Sequence, residues 1–406
     1  MKLQKEGKSM LSKKIQTALA GSSAIRAMFV EGKVLAAKIG EENVFDFSLG
    51  NPATEAPESV NHAIKDLLDE TDPLVLHGYM SNSGYEDVRA AIAENLNKRF
   101  DTGFRAENIV MTVGAAGGLN IVFKAILDPG DEVIVFAPFF GEYRSYVANY
   151  DADIVVVEPD YETFQPDLAA FEAAITDRTK AVIVNTPNNP TGVIYAPKTM
   201  QAIGDILSKK EKEYNKEIYL ISDEPYRELV YDGAKEDFLT KYYHNTIVGY
   251  SFSKSLSLPG ERIGYIAVSD EVTDAKEVLA GIEVANRILG FVNAPSLMQK
   301  AVARCIDETT NLEFYDKNRR VLYEGLTKLG FTCVKPQGAF YLWMKSPVEN
   351  EEEFVNTAKK YNLLLVKGSA FGCGGYVRLA YCVAHEKIVR SLDAFAKLAK
   401  EYQLGE

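Results

Sequence analysis

Apolar runs alternate with amphipathic stretches through most of the chain. "NIVMTV" (108–113), "DEVIVF" (131–136), "DIVVVE" (153–158), "KAVIVN" (180–185), "EIYLIS" (217–222), "TIVGYS" (246–251) and "IGYIAVS" (263–269) are short and nearly continuous in Val and Ile. Such runs predict strands buried on both faces of a mostly parallel sheet, since a half-exposed strand would alternate apolar and polar positions. Helical patterns lie among them at 117–127, 167–175 and 197–214. Strand–helix alternation of this kind predicts right-handed crossovers and an open α/β sheet between helices. Upstream, "SSAIRAMFVEGKVLAAKIG" (22–40) predicts a helix capped by Ser23 and ended by Gly40, with Ile25, Met28 and Phe29 on one face. "NVFDFSLGNP" (43–52) is extended and breaks at Gly50-Asn51-Pro52. From Leu297 the pattern changes. Long charged helical stretches (297–328, 350–361, 384–402) surround short strands at "FTCVKP", "AFYLWM" and "YVRLAY". The expected organisation is a large α/β domain over 50–296 and a smaller α+β domain formed by 1–49 with 297–406.

Composition narrows the function classes. At 406 residues the chain exceeds one ordinary core. A formal net charge of -12 repels nucleic acid and anionic membranes, so neither is an expected partner, although a local basic pocket for a small anion remains open. The four cysteines (305, 333, 373, 382) form no Cys-x-x-Cys pair, and the four histidines form no His-Glu-x-x-His motif, so no metal is expected. "MKLQKEGKSMLSKK" is basic but lacks the apolar centre of a secretory signal, and no apolar run approaches the ~20 residues of a bilayer span. A cytoplasmic protein is expected.

The candidate chemistry falls where the predicted strands end, which is where ligands collect in open α/β sheets. "VGAAGG" (113–118) offers Gly114, Ala115 and Ala116 as either a tight turn or an anion-binding helix start. "NTPNNPTG" (185–192) holds Asn189 in a loop stiffened by prolines. Asp223 ends a strand in "ISDEPYREL", as a helix cap or as the partner of a buried cation, with Tyr226 close by. In "SFSKSLSLPGERIG" (251–264), Lys254 stands among Ser251, Ser253 and Ser255, and Arg262 returns toward it. Two neighbouring cations lower a lysine's pKa and favour the free amine, a nucleophile toward aldehydes. Hydroxyls and a guanidinium suit a phosphate. An aldehyde carrying a phosphate beside a lysine describes pyridoxal phosphate. That cofactor needs a carboxylate at its ring nitrogen (Asp223), donors at its ring oxygen (Asn189, Tyr226) and an aromatic wall (Phe139 or Phe140 in "APFFGEY"). An amino-acid carboxylate needs a bidentate arginine, and Arg378 in "GYVRLAY" supplies one.

With Gly-Ala-Ala, Asn-Pro-Thr-Gly, Asp-x-x-Tyr, Ser-x-x-Lys, Gly-x-Arg-x-Gly and Tyr-Val-Arg in this order, the chain resembles the fold-type I aminotransferases of the aspartate aminotransferase-like class across roughly residues 22–400. The resemblance implies pyridoxal 5'-phosphate as cofactor and ping-pong transfer of an amino group between an L-amino acid and a 2-oxo acid through pyridoxamine phosphate. It implies that Lys254 holds the cofactor aldehyde and moves the proton, and that Asp223 pairs the ring nitrogen. Asn189 and Tyr226 would bind the ring oxygen, and Ala115, Ala116, Ser251, Ser253 and Arg262 the phosphate. Gly50 would lie beside the substrate carboxylate that Arg378 clamps. Phe140 stands where the family often has tryptophan or tyrosine. A homodimer with shared sites is also implied, with Tyr79 reaching the cofactor phosphate of the partner subunit and "FVNAPS" (291–296) approaching the partner's site. A C–S β-lyase using the same lysine and arginine is the alternative. Arg26, Arg144 and Arg287 are candidates for a distal carboxylate, and Ile25, Met28 or Phe29 could instead cover the site with apolar surface.

Overall fold

The structure is a computed structural model that describes residues 10–20, 24–235 and 237–405. Seven strands form the large sheet: β1 (Ile109–Thr112), β2 (Glu132–Phe136), β3 (Asp153–Val157), β4 (Thr179–Val184), β5 (Tyr219–Asp223), β6 (Thr246–Ser251) and β7 (Gly264–Val268). Their order is β1-β7-β6-β5-β4-β2-β3. All neighbours are parallel except β7, which runs antiparallel to both β6 and β1. The sheet is therefore the mostly parallel α/β sheet that the apolar runs predict. Successive residues of one strand enter different cores. Val133 and Val135 pack with Ile121 and Val122, whereas Ile134 and Phe136 pack with Met200, Ile203 and Leu207. Burial on both faces is why these strands show no alternation.

Boundaries differ from the periodicity in physically telling places. The helix expected from 117 begins at Gly114, so Gly114, Ala115 and Ala116 are its first turn rather than a loop before it. The single helical stretch expected over 297–328 is two helices, Ser296–Arg304 and Leu312–Lys328. Asn311 caps the second by accepting from the Phe314 N–H at 3.1 Å. The first packs through Met298, Ala301 and Val302 against Val60, Leu67, Val88 and Ile92, in a core beside the large sheet. A helix over Lys13–Ala20 has no counterpart in the predicted pattern. The helix after it covers Ala24–Ile39, and its expected cap Ser23 lies outside the described residues.

A second sheet has four strands: β8 (Cys333–Val334), β9 (Tyr341–Lys345), β10 (Val366–Lys367) and β11 (Tyr376–Ala380), in the order β10-β11-β9-β8. Phe45–Asp46 pairs in parallel with Leu363–Leu364. Phe45 and Phe47 share a core with Tyr315, Phe340, Leu342, Phe354, Leu379 and Phe395. The N-terminal segment thus packs with the C-terminal third of the chain. The four cysteines are free thiols. Among the described residues no helix is long and apolar enough to cross a membrane.

Candidate active site

Strands β1, β2, β4, β5 and β6 carry the chemistry at or just beyond their carboxyl ends, and one cavity of about 270 Å³ collects it. Gly50, Ala115, Ala116, Phe140, Asn189, Asp223, Tyr226, Ser251, Ser253, Lys254, Arg262 and Arg378 all line this space. A larger cleft of about 750 Å³ lies elsewhere, and its buried cation, Arg227, is already ion-paired with Glu224 at 2.5 Å. The cations of the smaller cavity have no such partner among the described residues.

Lys254 sits in the short helical turn Phe252–Ser255, which Ser251 caps by accepting from the Ser253 N–H at 3.2 Å. Its Nζ donates to the Gly50 carbonyl at 2.7 Å. Burial pushes the amine down to about 8, and the Arg262 and Arg378 guanidiniums push the same way. Arg262, the neighbouring cation expected from sequence, contributes, but burial is the larger cause.

Asp223 closes β5 and is buried. The Tyr143 hydroxyl donates to its Oδ2 at 2.5 Å, while Oδ1 has no partner. Burial raises the carboxyl to about 7, with the Tyr143 hydrogen bond opposing the rise and Glu224 adding to it. No helix starts after Asp223, so the side chain is not a cap. Asn185 fastens this end of the sheet: its Nδ2 donates to the Asp223 carbonyl at 2.8 Å, and its Oδ1 accepts from the Asn189 N–H at 2.8 Å.

Arg378 on β11 brings the small sheet into the site. It is 2% exposed, yet among the described residues no carboxylate pairs with it. One Nη donates to Asn189 Oδ1 at 3.1 Å, the other to the Ser48 carbonyl, and Nε has no partner. The rings of Tyr341 and Phe371 lie 4.5 and 4.8 Å from the guanidinium carbon. Burial lowers its pKa, as it does for any cation taken out of water without a counter-charge. Asn189 Nδ2 makes a long 3.5 Å contact with the Tyr226 hydroxyl, which in turn bonds the Tyr341 hydroxyl at 2.9 Å. Gly50 is required by close approach, because a Cβ there would stand 2.1 Å from the Tyr341 hydroxyl.

One end of the cavity, with donors that could hold an anion, is lined by Ala115 and Ala116 of the first turn of Gly114–Ile126 with Ser251, Ser253 and Arg262. The two serine hydroxyls bond each other at 2.7 Å. Arg262, held at a φ of 52°, donates to the carbonyls of Pro259 (3.1 Å) and Val113 (3.3 Å). Gly114 does not line the cavity but lets Arg262 approach, since a Cβ would meet Nη2 at 3.0 Å. Gly264 allows a close backbone approach instead, since a Cβ there would stand 2.2 Å from the Tyr250 carbonyl.

Other candidates lie apart. Phe139 is buried in the core beside the large sheet, so of the two phenylalanines Phe140 lines the cavity, half-buried and edge-on to Tyr143. Tyr79 is 94% exposed and does not line the cavity of its own chain. Arg287 is exposed, and Arg144 lies over Phe139 at 4.8 Å on the surface. Met28 packs against the core of the small sheet, and Phe29 lies under the Lys33 amine at 4.6 Å. The side chains of Ile25 and Arg26 are outside the described residues. Tyr143, Tyr146, Asn185 and Tyr341 belong to the site and escaped the sequence reading. Three are tyrosines, and nothing in local spacing separates a tyrosine facing a cavity from one filling a core. Outside the cavity, Glu211, Glu217 and His244 bring three potential ligand atoms within 4.8 Å, but Asn245 and Thr273 already bond those carboxylates.

A lysine poised as an amine, a buried carboxylate with a bare oxygen and a cluster of hydroxyls with an arginine at strand ends of an open α/β sheet, met by an unpaired guanidinium from the second sheet, suit a fold-type I amino-group-transferring site. Residues 42–395 match the aminotransferase class I and II family, and the chain belongs to it. It is an enzyme, a transaminase of the aspartate aminotransferase-like class, which moves an amino group between an amino acid and a 2-oxo acid. An aspartate/prephenate aminotransferase of Thermus thermophilus is 31% identical over 377 residues, covering 91% of this chain and 94% of the relative. An aromatic-amino-acid aminotransferase of Thermococcus litoralis is 29% identical, covering 90% and 94%. Among solved structures, an amino transferase from Eubacterium rectale superposes with a TM-score of 0.94 at 48% identity, covering 97% of this chain and all of that one. The Thermus thermophilus aspartate aminotransferase with maleate gives 0.84 at 29%, covering 96% and all of that chain.

Proposed function

We propose that this transaminase works with pyridoxal 5'-phosphate held in the 270 Å³ cavity. The observation that carries the reading is a set of uncompensated buried charges. Among the described residues Lys254 and Arg378 have no carboxylate partner and Asp223 Oδ1 has no hydrogen-bond partner, yet all three side chains line one space. A buried charge without a partner is costly, so such a set is best explained by a ligand that completes it. The donor types fit this cofactor: Ser251, Ser253, Arg262 and the opening turn at Gly114, Ala115 and Ala116 suit its phosphate, Asp223 its ring nitrogen, Asn189 and Tyr226 its ring oxygen, and Phe140 its flat face. When bound, the cofactor supplies an aldehyde to take the amino group and a cationic ring that draws electrons from the substrate.

The chain's own residues do the rest. Asp223 keeps the ring nitrogen protonated. Lys254, near neutrality at about 8, takes the Cα proton on Nζ and returns it. Arg378 pairs with the α-carboxylate, and Gly50 leaves it room. Amino acid and oxo acid use the same groups in turn, which gives ping-pong kinetics. The β-lyase alternative would use the same lysine and arginine, but the named relatives are aminotransferases, so elimination is not favoured.

The assembly we propose is a cytoplasmic homodimer in which Tyr79, 94% exposed on its own chain, reaches the cofactor phosphate of the other subunit. We place the domain division as expected, a large unit over 50–296 and a small one of 1–49 with 297–406. The packing of Ser296–Arg304 against helices of the large unit supports counting that helix with it.

Adding an amino acid alone to the cofactor-loaded protein should shift the cofactor absorbance once, and adding an oxo acid should restore it. Aspartate, phenylalanine and their oxo acids start the screen, since relatives are named for aspartate and aromatic substrates. Release of ammonia with no amino group passed to an oxo acid would overturn transfer in favour of elimination.

A further inference from the structure

One hydroxyl in the cavity has no assignment. Tyr146 lies three residues after Tyr143 on the helical turn Tyr143–Ala148, so both side chains leave the same face. Tyr143 reaches Asp223. Tyr146 lines the cavity with Ala115, Ala116 and Arg262, its ring packed against the core beside the large sheet. The other tyrosines of the site are all spoken for: Tyr143 by Asp223, Tyr226 by Tyr341. Among the described residues the Tyr146 hydroxyl has no hydrogen-bond partner, while its backbone N–H donates to the Glu142 carbonyl at 3.0 Å.

We propose that Tyr146 is a further cofactor-holding residue whose hydroxyl donates a hydrogen bond to the cofactor phosphate, beside Arg262 and the opening turn of Gly114–Ile126. Burial, Glu142 and Asp223 resist its ionisation while Arg262 favours it, and the balance keeps the phenol protonated, so it stays a donor. A protonated ring nitrogen is itself a donor and already has Asp223. The phosphate carries several acceptor oxygens and is the group at this end that a phenol donor complements. Three groups of different kind then hold the phosphate: a guanidinium, serine hydroxyls with helix N–H groups, and a rigid phenol.

The inference rests on pyridoxal phosphate being the cofactor, and the test separates the two. Dissociation constants of pyridoxal phosphate and of pyridoxal, which lacks the phosphate, are measured by absorbance for the wild-type chain and Tyr146→Phe. The expected result is about ten-fold weaker binding of the phosphorylated form by the variant, the size of one charge-assisted hydrogen bond, with pyridoxal binding unchanged. Unchanged pyridoxal binding also shows that the variant is folded. Equal losses for both ligands, or no loss for either, would overturn the proposal. A wild-type chain that takes up neither ligand would sink the cofactor reading itself and this inference with it.

Discussion

Replacing Asp223 with asparagine separates stability from catalysis. Burial lifts the Asp223 carboxyl from its usual 3.8 to about 7. The folded chain therefore binds a proton that the unfolded chain has released between about pH 4 and pH 7, and stability falls as pH rises through that window. Above about pH 7 the carboxylate is ionised in the interior with Oδ1 bare, and the loss is complete. At about 1.4 kcal/mol per pH unit, a gap of about three units amounts to about 4 kcal/mol. Asparagine keeps the shape and still accepts from Tyr143, but it does not ionise. Without cofactor, Asp223→Asn should be more stable than wild type at about pH 8, by up to about 4 kcal/mol, with the difference shrinking toward about pH 4. With cofactor the order should reverse, because the ring cation meets the carboxylate, and the variant should lose most of its transamination rate. Urea denaturation of both proteins across this pH range, with and without pyridoxal phosphate, reads the effect. A stability difference that is flat with pH would refute the claim that Asp223 is a strained, titrating carboxyl awaiting a cation.

Other consequences are equally direct. In cofactor-free protein, attack of Lys254 on an aldehyde reagent should speed up with pH until about 8 and then level off, and Lys254→Ala should abolish both labelling and turnover. Continued acceleration well past that pH would mean an ordinary, unperturbed lysine. Arg378→Ala should cut kcat/KM about 100-fold or more for every amino acid and oxo acid alike, the cost of a bidentate charged pair, and leave the cofactor spectrum intact. Loss confined to one substrate would make it a side-chain reader instead. Mixing inactive Lys254→Ala with inactive Tyr79→Ala should restore about a quarter of wild-type activity if Tyr79 acts across a dimer. Random exchange makes half of the dimers mixed, each with one intact site. No recovery after proven subunit exchange would place Tyr79 in its own subunit's site or in none.

The strands and the site's first members were legible in the chain because both depend on local rules. Continuous Val and Ile runs such as "VIV" in 133–135, short and rich in β-branched residues, favour strands covered on both faces, and Asp223, Lys254 and Asn189 stand at or within a few positions of the ends of such runs, where an α/β sheet exposes its ligands. What the chain order does not encode is which distant side chains meet there. Arg378 enters from the other sheet, 155 positions beyond Asp223 in the sequence. Tyr146 and Tyr341 look like any half-apolar aromatic until the sheet and helices bring them to one cavity, and Tyr143 until the fold sets its hydroxyl on Asp223. The lysine's acidity shows the same division. Sequence proximity to Arg262 indicated the direction, but burial, a property of the whole packed molecule, supplies the larger share. Local periodicity reports how a segment meets its nearest neighbours, whereas desolvation and long-range pairing exist only once all the layers have closed.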